Sequence, residues 1–192
     1  MKIRVAVVGV GNCCSSLVQA VSAAKNEKLP ESGIAFKEIG GYTIKDIEFS
    51  AAFDVDTRKI NKDLSEAIFS DPNCTSKYFD VPQLSVNVFP GNVLDGVADY
   101  MKDLINVIKK TQEKNMKNVT EILTSTGTQV VISYLPVGSD AASEFYAEAA
   151  LNAGCAFINC TPATISNSKK IREKFEKMQL PLLGDDIKSQ IG

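Results

Sequence analysis

The 192-residue chain is 44% hydrophobic and 23% charged, an ordinary balance for a folded globular protein of one domain, with or without an appended piece. A formal net charge of -2 with no basic stripe argues against nucleic acid as a partner. No apolar run reaches the roughly 18 residues of a membrane span, and the first turn follows Val8 too soon for a secretion signal, so a cytoplasmic protein without a membrane partner is expected.

Five cysteines, an odd number, suit free thiols in a reducing compartment. Cys13 and Cys14 are adjacent and are expected to line a turn, whereas Cys155 and Cys160 flank a predicted strand and read as core. There is no CxxC and no histidine, so a zinc site is unsupported and no metal is expected. The missing histidine also removes the commonest general base, leaving proton transfer to Lys, Asp, Glu, Tyr, Cys or water.

In chain order, the predicted strand 2–8 holds the run Ile3 to Val8, apolar except for Arg4, and it leads into the string GVGNCCSS at 9–16 and a predicted helix 13–24. A β-branched run, a glycine turn and helix-spaced apolar residues describe the opening of a dinucleotide-binding unit. Gly9 permits the tight turn, and Gly11 lets a diphosphate approach the main chain at the positive end of the helix. The third glycine of the fingerprint is replaced by Cys14, still small enough for close packing of helix on strand. Residues 25–45, with Pro30, Gly33, Gly40 and Gly41, read as a surface insertion.

Strand 46–53 and helix 57–69 come next, followed by a second excursion at 70–83 that holds two prolines. Strand 84–89, helices 95–110 and 119–125, strand 129–134, helix 139–152, strand 155–159, helix 167–178 and strand 181–183 complete the series. Ser139 is placed to cap its helix and Gly154 to end it, while Ile171, Phe175 and Met178 mark a buried stripe. The lysine pairs 109–110 and 169–170 read as solvated helix faces. Alternating strands and helices predict an α/β, Rossmann-like doubly wound fold, a mainly parallel sheet with helices on both faces.

The acidic partner of the glycine turn is expected at the end of the second strand, where Asp54 stands. A carboxylate there accepts hydrogen bonds from the ribose hydroxyls and repels the extra phosphate of NADP, which favours NAD. Its separation from Gly9 exceeds the usual ~20 residues because of the 25–45 insertion. The plainer alternative, a cap for the helix after DVDT, can be met by Asp56.

The strings GVGNCCSSLVQ, AAFDVD, DLSEAIF, SYLPVGS, FYAEAALNAG and LPLLGDDIKSQIG occur in the order found in myo-inositol-1-phosphate synthases (inositol-3-phosphate synthases). The chain resembles that family over nearly its whole length, and GDDIKS after FIN-x-x-P is its most specific part. The resemblance implies an isomerase that converts glucose 6-phosphate to inositol phosphate with tightly held NAD. The sugar is oxidised to a ketone, enolised, cyclised by an intramolecular aldol step and reduced again. It also implies that Gly9, Gly11, Asn12 and Cys13 form the diphosphate loop and that Asp54 holds the ribose. Tyr134, Leu135 and Pro136 then line the cofactor, Thr161 contacts the nucleotide region, and Asp63, Tyr146 and Ser189 contact NAD. Asp186 corresponds to the aspartate beside nicotinamide and substrate.

Plainer readings stay open for several of these positions. Tyr146 could belong to the core, Asp63 to a helical turn, and Asp186 and Ser189 to the cap of a terminal helix; Lys188 is given no catalytic part. In the family the essential lysines, and the domain that mainly builds a homotetramer, lie beyond the GDDIKSQIG string. The 1–192 chain is therefore expected to be the nucleotide domain, with 184–192 starting the connection to that second domain, and to be inactive alone. Two other readings remain: half of a different NAD-dependent dehydrogenase, such as a homoserine dehydrogenase, or a non-catalytic nucleotide-sensing module.

Overall fold

The computed structural model describes residues 2–28, 34–97, 101, 103–108, 115–187 and 189. Six strands, β1 (Ile3–Val8), β2 (Ile47–Asp54), β3 (Val88–Pro90), β4 (Val130–Ser133), β5 (Ala156–Asn159) and β6 (Leu182–Leu183), form one sheet of order β3-β2-β1-β4-β5-β6. Every pairing is parallel. The strand exits therefore share one edge, where Gly9, Asp54, Gly91, Tyr134, Thr161 and Asp186 gather from distant parts of the sequence.

Alternation along β1 divides the core. Ala6 and Val8 face a cluster with Phe53, Val131 and Phe157, covered by α3 (Met116–Ser125), α4 (Asp140–Asn152) and α5 (Lys169–Lys177). Val7 faces the other way, toward Val18 and Val21 of α1 (Asn12–Lys25) and Leu64 and Ala67 of α2 (Leu64–Ala67). Helices thus cover both faces, although Ile132 and Ile158, on the α1 side of β4 and β5, are only half-buried and Leu183 is 47% exposed. Among the described residues no helix is long and apolar enough to cross a membrane.

Several predicted elements differ in extent, each for a local reason. The helix expected at 57–69 is confined to Leu64–Ala67. Asp56 takes the Arg58 amide into a side-chain turn at 2.9 Å, and Asn61 adopts φ 63, so helical hydrogen bonding cannot start earlier. The strand expected at 84–89 shortens to Val88–Pro90, because Ser85 has φ 57 and the amides of Leu84 and Val86 bond the Asp63 carboxylate instead of a strand.

No described residue in 95–110 belongs to an α-helix. Gly96 has φ 78, and residues 106–108 bond back to the exit of β2 through Thr57 N–H to Asn106 C=O (2.8 Å) and Ile108 N–H to Val55 C=O (2.9 Å). Residues 98–100, 102, 109 and 110 of that prediction lie outside the described set, as do 29–33 of the first insertion. The remainder of that insertion closes a turn in which Ile39 pairs with Tyr42 across Gly40 and Gly41.

At the ends of the later helices the outcome is mixed. Ile171 and Phe175 are buried, but Met178 is 56% exposed: it is the C-cap residue of α5, beyond the point where helical spacing turns a side chain inward. Ser139 does stand at the N-cap of α4, yet its hydroxyl makes no cap bond. Gly154 follows the C-cap of α4 with φ 71, the left-handed stop read from the sequence. Cys155 and Cys160 are buried, while Cys14 lies wholly inside the core rather than in the turn, and burial pushes its thiol pKa up.

Candidate functional site

Gly9 leaves β1 with φ 88, and its amide donates to the Phe53 carbonyl at 2.9 Å. A Cβ at this residue would stand 2.9 Å from the Tyr134 carbonyl oxygen, so both the dihedral and the space require glycine. Tyr134 N–H donates in turn to the Val8 carbonyl at 2.8 Å. The glycine turn is thereby fixed between the exits of β2 and β4, where the strand order reverses, the crevice in which open α/β sheets take their ligands.

Gly11 is the N-cap of α1; no side chain caps that helix and its first turn carries no acid. A Cβ at Gly11 would meet nothing within 4 Å. The first turn of a 14-residue helix thus opens toward the crevice with its positive dipole end, the arrangement that holds a phosphate group.

Asp54 ends β2 beside this turn. Its Oδ2 accepts from Val10 N–H and its Oδ1 from Asp56 N–H, both at 2.8 Å. Each oxygen keeps a further lone pair for a ligand hydroxyl. Asp56 caps no helix: it is buried and paired with the Arg58 guanidinium at 2.6 Å. Burial alone would raise the Asp56 pKa, but the Arg58 hydrogen bonds and charge outweigh it and hold it below the usual carboxylate value.

The cleft above these residues has a volume of about 240 Å³. Gly9, Gly11 and Asp54 form one side, and Tyr134, Leu135 and Pro136 follow from the exit of β4. Tyr146 reaches it from α4, its ring against Phe53 and Phe145 and its hydroxyl accepting from Asn92 N–H at 3.3 Å. It belongs to the core and lines the cleft as well, and burial pushes its phenol pKa up. Val55, Met101 and Ile105 supply an apolar side.

The side chains of the other sequence-chosen residues do not line the cleft. The Asn12 side chain turns to the 70–83 excursion, its Oδ1 accepting from Cys74 N–H (2.9 Å), Thr75 N–H (3.1 Å) and the Thr75 hydroxyl (2.9 Å). Cys13, beside it, is half-buried. Asp63 caps α2 and ties it to the segment before β3, accepting from the Ser65 amide and hydroxyl and from the amides of Leu84 and Val86. Those bonds outweigh its burial and lower its pKa.

Thr161 is buried after β5, its hydroxyl given to Asn159 Oδ1 at 2.9 Å. Asp186 N–H donates to the Thr161 carbonyl at 2.8 Å, while Asp186 Oδ1 is buried and has no hydrogen-bond partner among the described residues. Ser189 is exposed, and its amide donates to the Asp186 carbonyl at 3.0 Å; Lys188 lies outside the described residues. These groups share the carboxyl edge of the sheet at the β5–β6 end. Asp185 fixes that end. Its carboxylate accepts from the amides of Ile165, Ser166 and Asn167 and from Asn159 Nδ2, holding the loop after β5 against the exit of β6.

Four groups at the site were not singled out in the sequence. Lys59 is 4% exposed, with its ammonium on the Val10 carbonyl (2.8 Å) and on Asn73 Oδ1 (2.9 Å). Asp95 caps α4 from across the cleft, accepting from the amides of Ala141 (2.7 Å) and Ala142 (3.0 Å). Gly96 packs so closely on Ser139 that an added Cβ would overlap its hydroxyl. Gly91 meets Tyr146 and the Asp54 carbonyl in the same way, and the Pro-Gly pair at 90–91 was the one signal that marked it as a turn. Among the described residues no group of three or more His, Cys, Asp or Glu could hold a metal ion.

A parallel sheet of this order, with a glycine turn at the point of reversal and a carboxylate ending the second strand, defines a Rossmann-type nucleotide-binding domain. No protein-family model matches the chain. Sequence relatives do. Inositol-3-phosphate synthase of Corynebacterium glutamicum is 45% identical over 99% of this chain and 52% of its own length. Those of Mycolicibacterium smegmatis and Mycobacterium tuberculosis H37Rv are 45% and 42% identical over 100% of this chain and 52% of theirs.

The crystal structure of Ari2 superposes with a TM-score of 0.83 at 32% identity, covering 97% of this chain and 53% of Ari2. A myo-inositol-1-phosphate synthase-related protein from Thermotoga maritima has the same fold, with a TM-score of 0.75 at 19% identity over 97% of this chain and 55% of its own. By sequence the chain belongs to the inositol-3-phosphate synthase family, and it spans about half the length of the curated relatives it matches.

Proposed function

We propose that the cleft binds NAD and that the chain is the nucleotide-binding part of an inositol-3-phosphate synthase, acting in the whole protein on glucose 6-phosphate. The observation that carries the reading is the 2.8 Å bond from Val10 N–H to Asp54 Oδ2. It sets a ribose-binding carboxylate directly beside a glycine turn that opens on an uncapped helix start. The donor set fits the cofactor: amides at Gly11, Asn12 and Cys13 for the diphosphate, Asp54 for the adenosine ribose, and Tyr134 to Pro136 with Tyr146 as cleft wall.

When bound, NAD supplies a hydride acceptor and donor, so an isomerisation with no net redox change is within its chemistry. Asp186, with Oδ1 buried and unbonded, is the group we place beside nicotinamide and sugar; Thr161 holds the Asp186 amide, and Ser189 bonds the Asp186 carbonyl. Asp63, its carboxylate taken by four hydrogen bonds, supports the walls from outside. The whole protein is proposed to be a homo-oligomer, and the 192-residue chain by itself to bind NAD without turnover.

Calorimetric titration of the purified chain with NAD tests the binding reading, and no detectable heat at millimolar NAD would refute it. Inositol phosphate formed from glucose 6-phosphate by the chain alone would refute the proposed inactivity.

A further inference from the structure

Lys59 is a buried cation that the cofactor reading leaves without a task. It lies in the turns between β2 and α2, in the charged string DVDTRK. The ammonium has three hydrogens. One is given to the carbonyl of Val10, inside the glycine turn, at 2.8 Å. A second goes to Asn73 Oδ1 in the 70–83 excursion, at 2.9 Å. Among the described residues the third finds no neutral acceptor, and Asp54 Oδ2 stands 3.9 Å away, an ion pair rather than a short hydrogen bond.

Asn73 completes the clamp by donating its own amide to the Val10 carbonyl at 3.0 Å and to the Ile68 carbonyl at 2.9 Å. Two residues on, the Thr75 hydroxyl shares its one hydrogen between Asn12 Oδ1 (2.9 Å) and the Asn12 carbonyl (3.1 Å), in the first turn of α1. Pro72, the neighbour of Asn73, lines the cleft together with Lys59 itself. One ammonium therefore fixes three things at once: the carbonyl orientation in the glycine turn, the excursion beside the helix start, and the charge facing Asp54.

We infer that Lys59 is a positioning and charge-setting residue for the diphosphate of the bound dinucleotide. Its clamp on Val10 and Asn73 holds the wall of the phosphate site, and its charge offsets Asp54 so that a dianionic diphosphate can enter beside a carboxylate. The inference rests on the nucleotide reading above. A lysine buried only to fill space would not take the carbonyl of the phosphate turn and face the ribose carboxylate together. Removing the charge leaves Asp54 uncompensated next to the incoming phosphates, so the effect should scale with ligand charge.

The test is a ligand series on the full 192-residue chain: NAD, ADP and adenosine, titrated by ligand-observed NMR or calorimetry at several salt concentrations. Lys59→Met keeps the length of the side chain and removes the charge. It should weaken NAD and ADP at least about tenfold while changing adenosine by less than about twofold, and it should flatten the salt dependence of NAD binding. Asn73→Ala keeps the charge and loosens the clamp, so NAD should weaken less and retain the native salt dependence. A uniform loss across all three ligands would reduce Lys59 to a structural residue and overturn the inference, as would unchanged NAD affinity in Lys59→Met. If Lys59→Met does not fold, an Asn73→Ala chain that binds NAD with native affinity overturns the clamp. An unaltered chain that binds no NAD overturns the nucleotide reading, and the role of Lys59 with it.

Discussion

Replacing Asp54 with alanine tests the nucleotide reading most directly. In the native chain its two oxygens each hold one amide, Val10 and Asp56, at 2.8 Å, and each has a lone pair to spare. Hydrogen bonds from ribose hydroxyls to a carboxylate contribute about 1.5–3 kcal/mol, so their loss should weaken NAD roughly tenfold to a hundredfold. Against NADP, a 2′-phosphate roughly 4 Å from the carboxylate is opposed by about 1–4 kcal/mol across effective dielectrics of 80 to 20. Lys59, 3.9 Å from Oδ2, cancels part of that field and places the native preference toward the low end. In Asp54→Ala the repulsion disappears while Lys59 and Arg58 remain, so the affinity ratio should shift toward NADP by about tenfold. Paired titrations with NAD and NADP in roughly 0.15 M salt, where screening is already partial, read both numbers. The variant also strands the amides of Val10 and Asp56, so the titrations belong well below its melting temperature. NAD affinity within about twofold of native, or no relative gain for NADP, would remove the ribose from Asp54.

The two turn glycines should separate stability from binding. Gly9→Ala forces φ 88 on a residue with a Cβ 2.9 Å from the Tyr134 carbonyl, and should cost about 2–3 kcal/mol in urea unfolding. Gly11→Val, in extended backbone with open space around it, should fold with stability within about 0.5 kcal/mol of native and yet lose NAD binding. Gly96→Ala would drive a Cβ into the Ser139 hydroxyl at φ 78 and pull Asp95 away from the start of α4; hydrogen exchange should quicken at Ala141 and Ala142. Asp185 predicts a pH response. Burial raises its pKa, but bonds from Asn159, Ser166, Asn167 and Ile165 outweigh that and leave it depressed in the fold. A depressed carboxylate stabilises above its unfolded pKa near 3.9 and loses that contribution as pH falls through the lower native value. Stability measured between about pH 5 and pH 3 should therefore fall less steeply in Asp185→Asn than in the native chain; equal slopes would show that Asp185 carries none of it.

What the sequence disclosed is what depends on neighbours in the chain. β1, the glycine turn and α1 were legible because a β-branched run, a helix-spaced apolar face and Gly9 each act locally, and the strand–helix rhythm carried the parallel sheet with them. Asp54 followed from the register of the strand it ends. The misread stretches are those where a side chain captured backbone groups from elsewhere. Residues 57–63 have helical spacing, but Asp56 takes the Arg58 amide, Asn61 gives its own amide to the Val88 carbonyl, and Asp63 takes the amides of Leu84 and Val86 in the segment before β3. Ser139 has the form of a cap, yet the cap of α4 is Asp95, 46 residues earlier. Lys59 reads as one more solvated charge in DVDTRK, and nothing local marks it as buried, since its partners are Val10 and Asn73, 49 and 14 residues away.

Two stretches outside the sheet, one read from the sequence as an excursion and the other as a helix, are the walls of the site. The 70–83 excursion bonds the first turns of α1 through Asn12 with Thr75 and through Gln19 Oε1 with the Tyr78 amide at 2.9 Å. Residues 92–108 bond the opposite rim, Asp95 to the start of α4 and Asn106 and Ile108 to the exit of β2. The sheet alone fixes only where a diphosphate meets a helix start, a feature shared by every fold of this class. How far a ligand is enclosed beyond that point depends on these two segments, because they carry Pro72, Met101 and Ile105 to the cleft. Selectivity in this chain is therefore expected to follow substitutions at Lys59, Asn73 and Asp95, which hold the walls in place, more closely than substitutions in the strands. The strands bring Val8, Phe53 and Asp54 to the cleft lining.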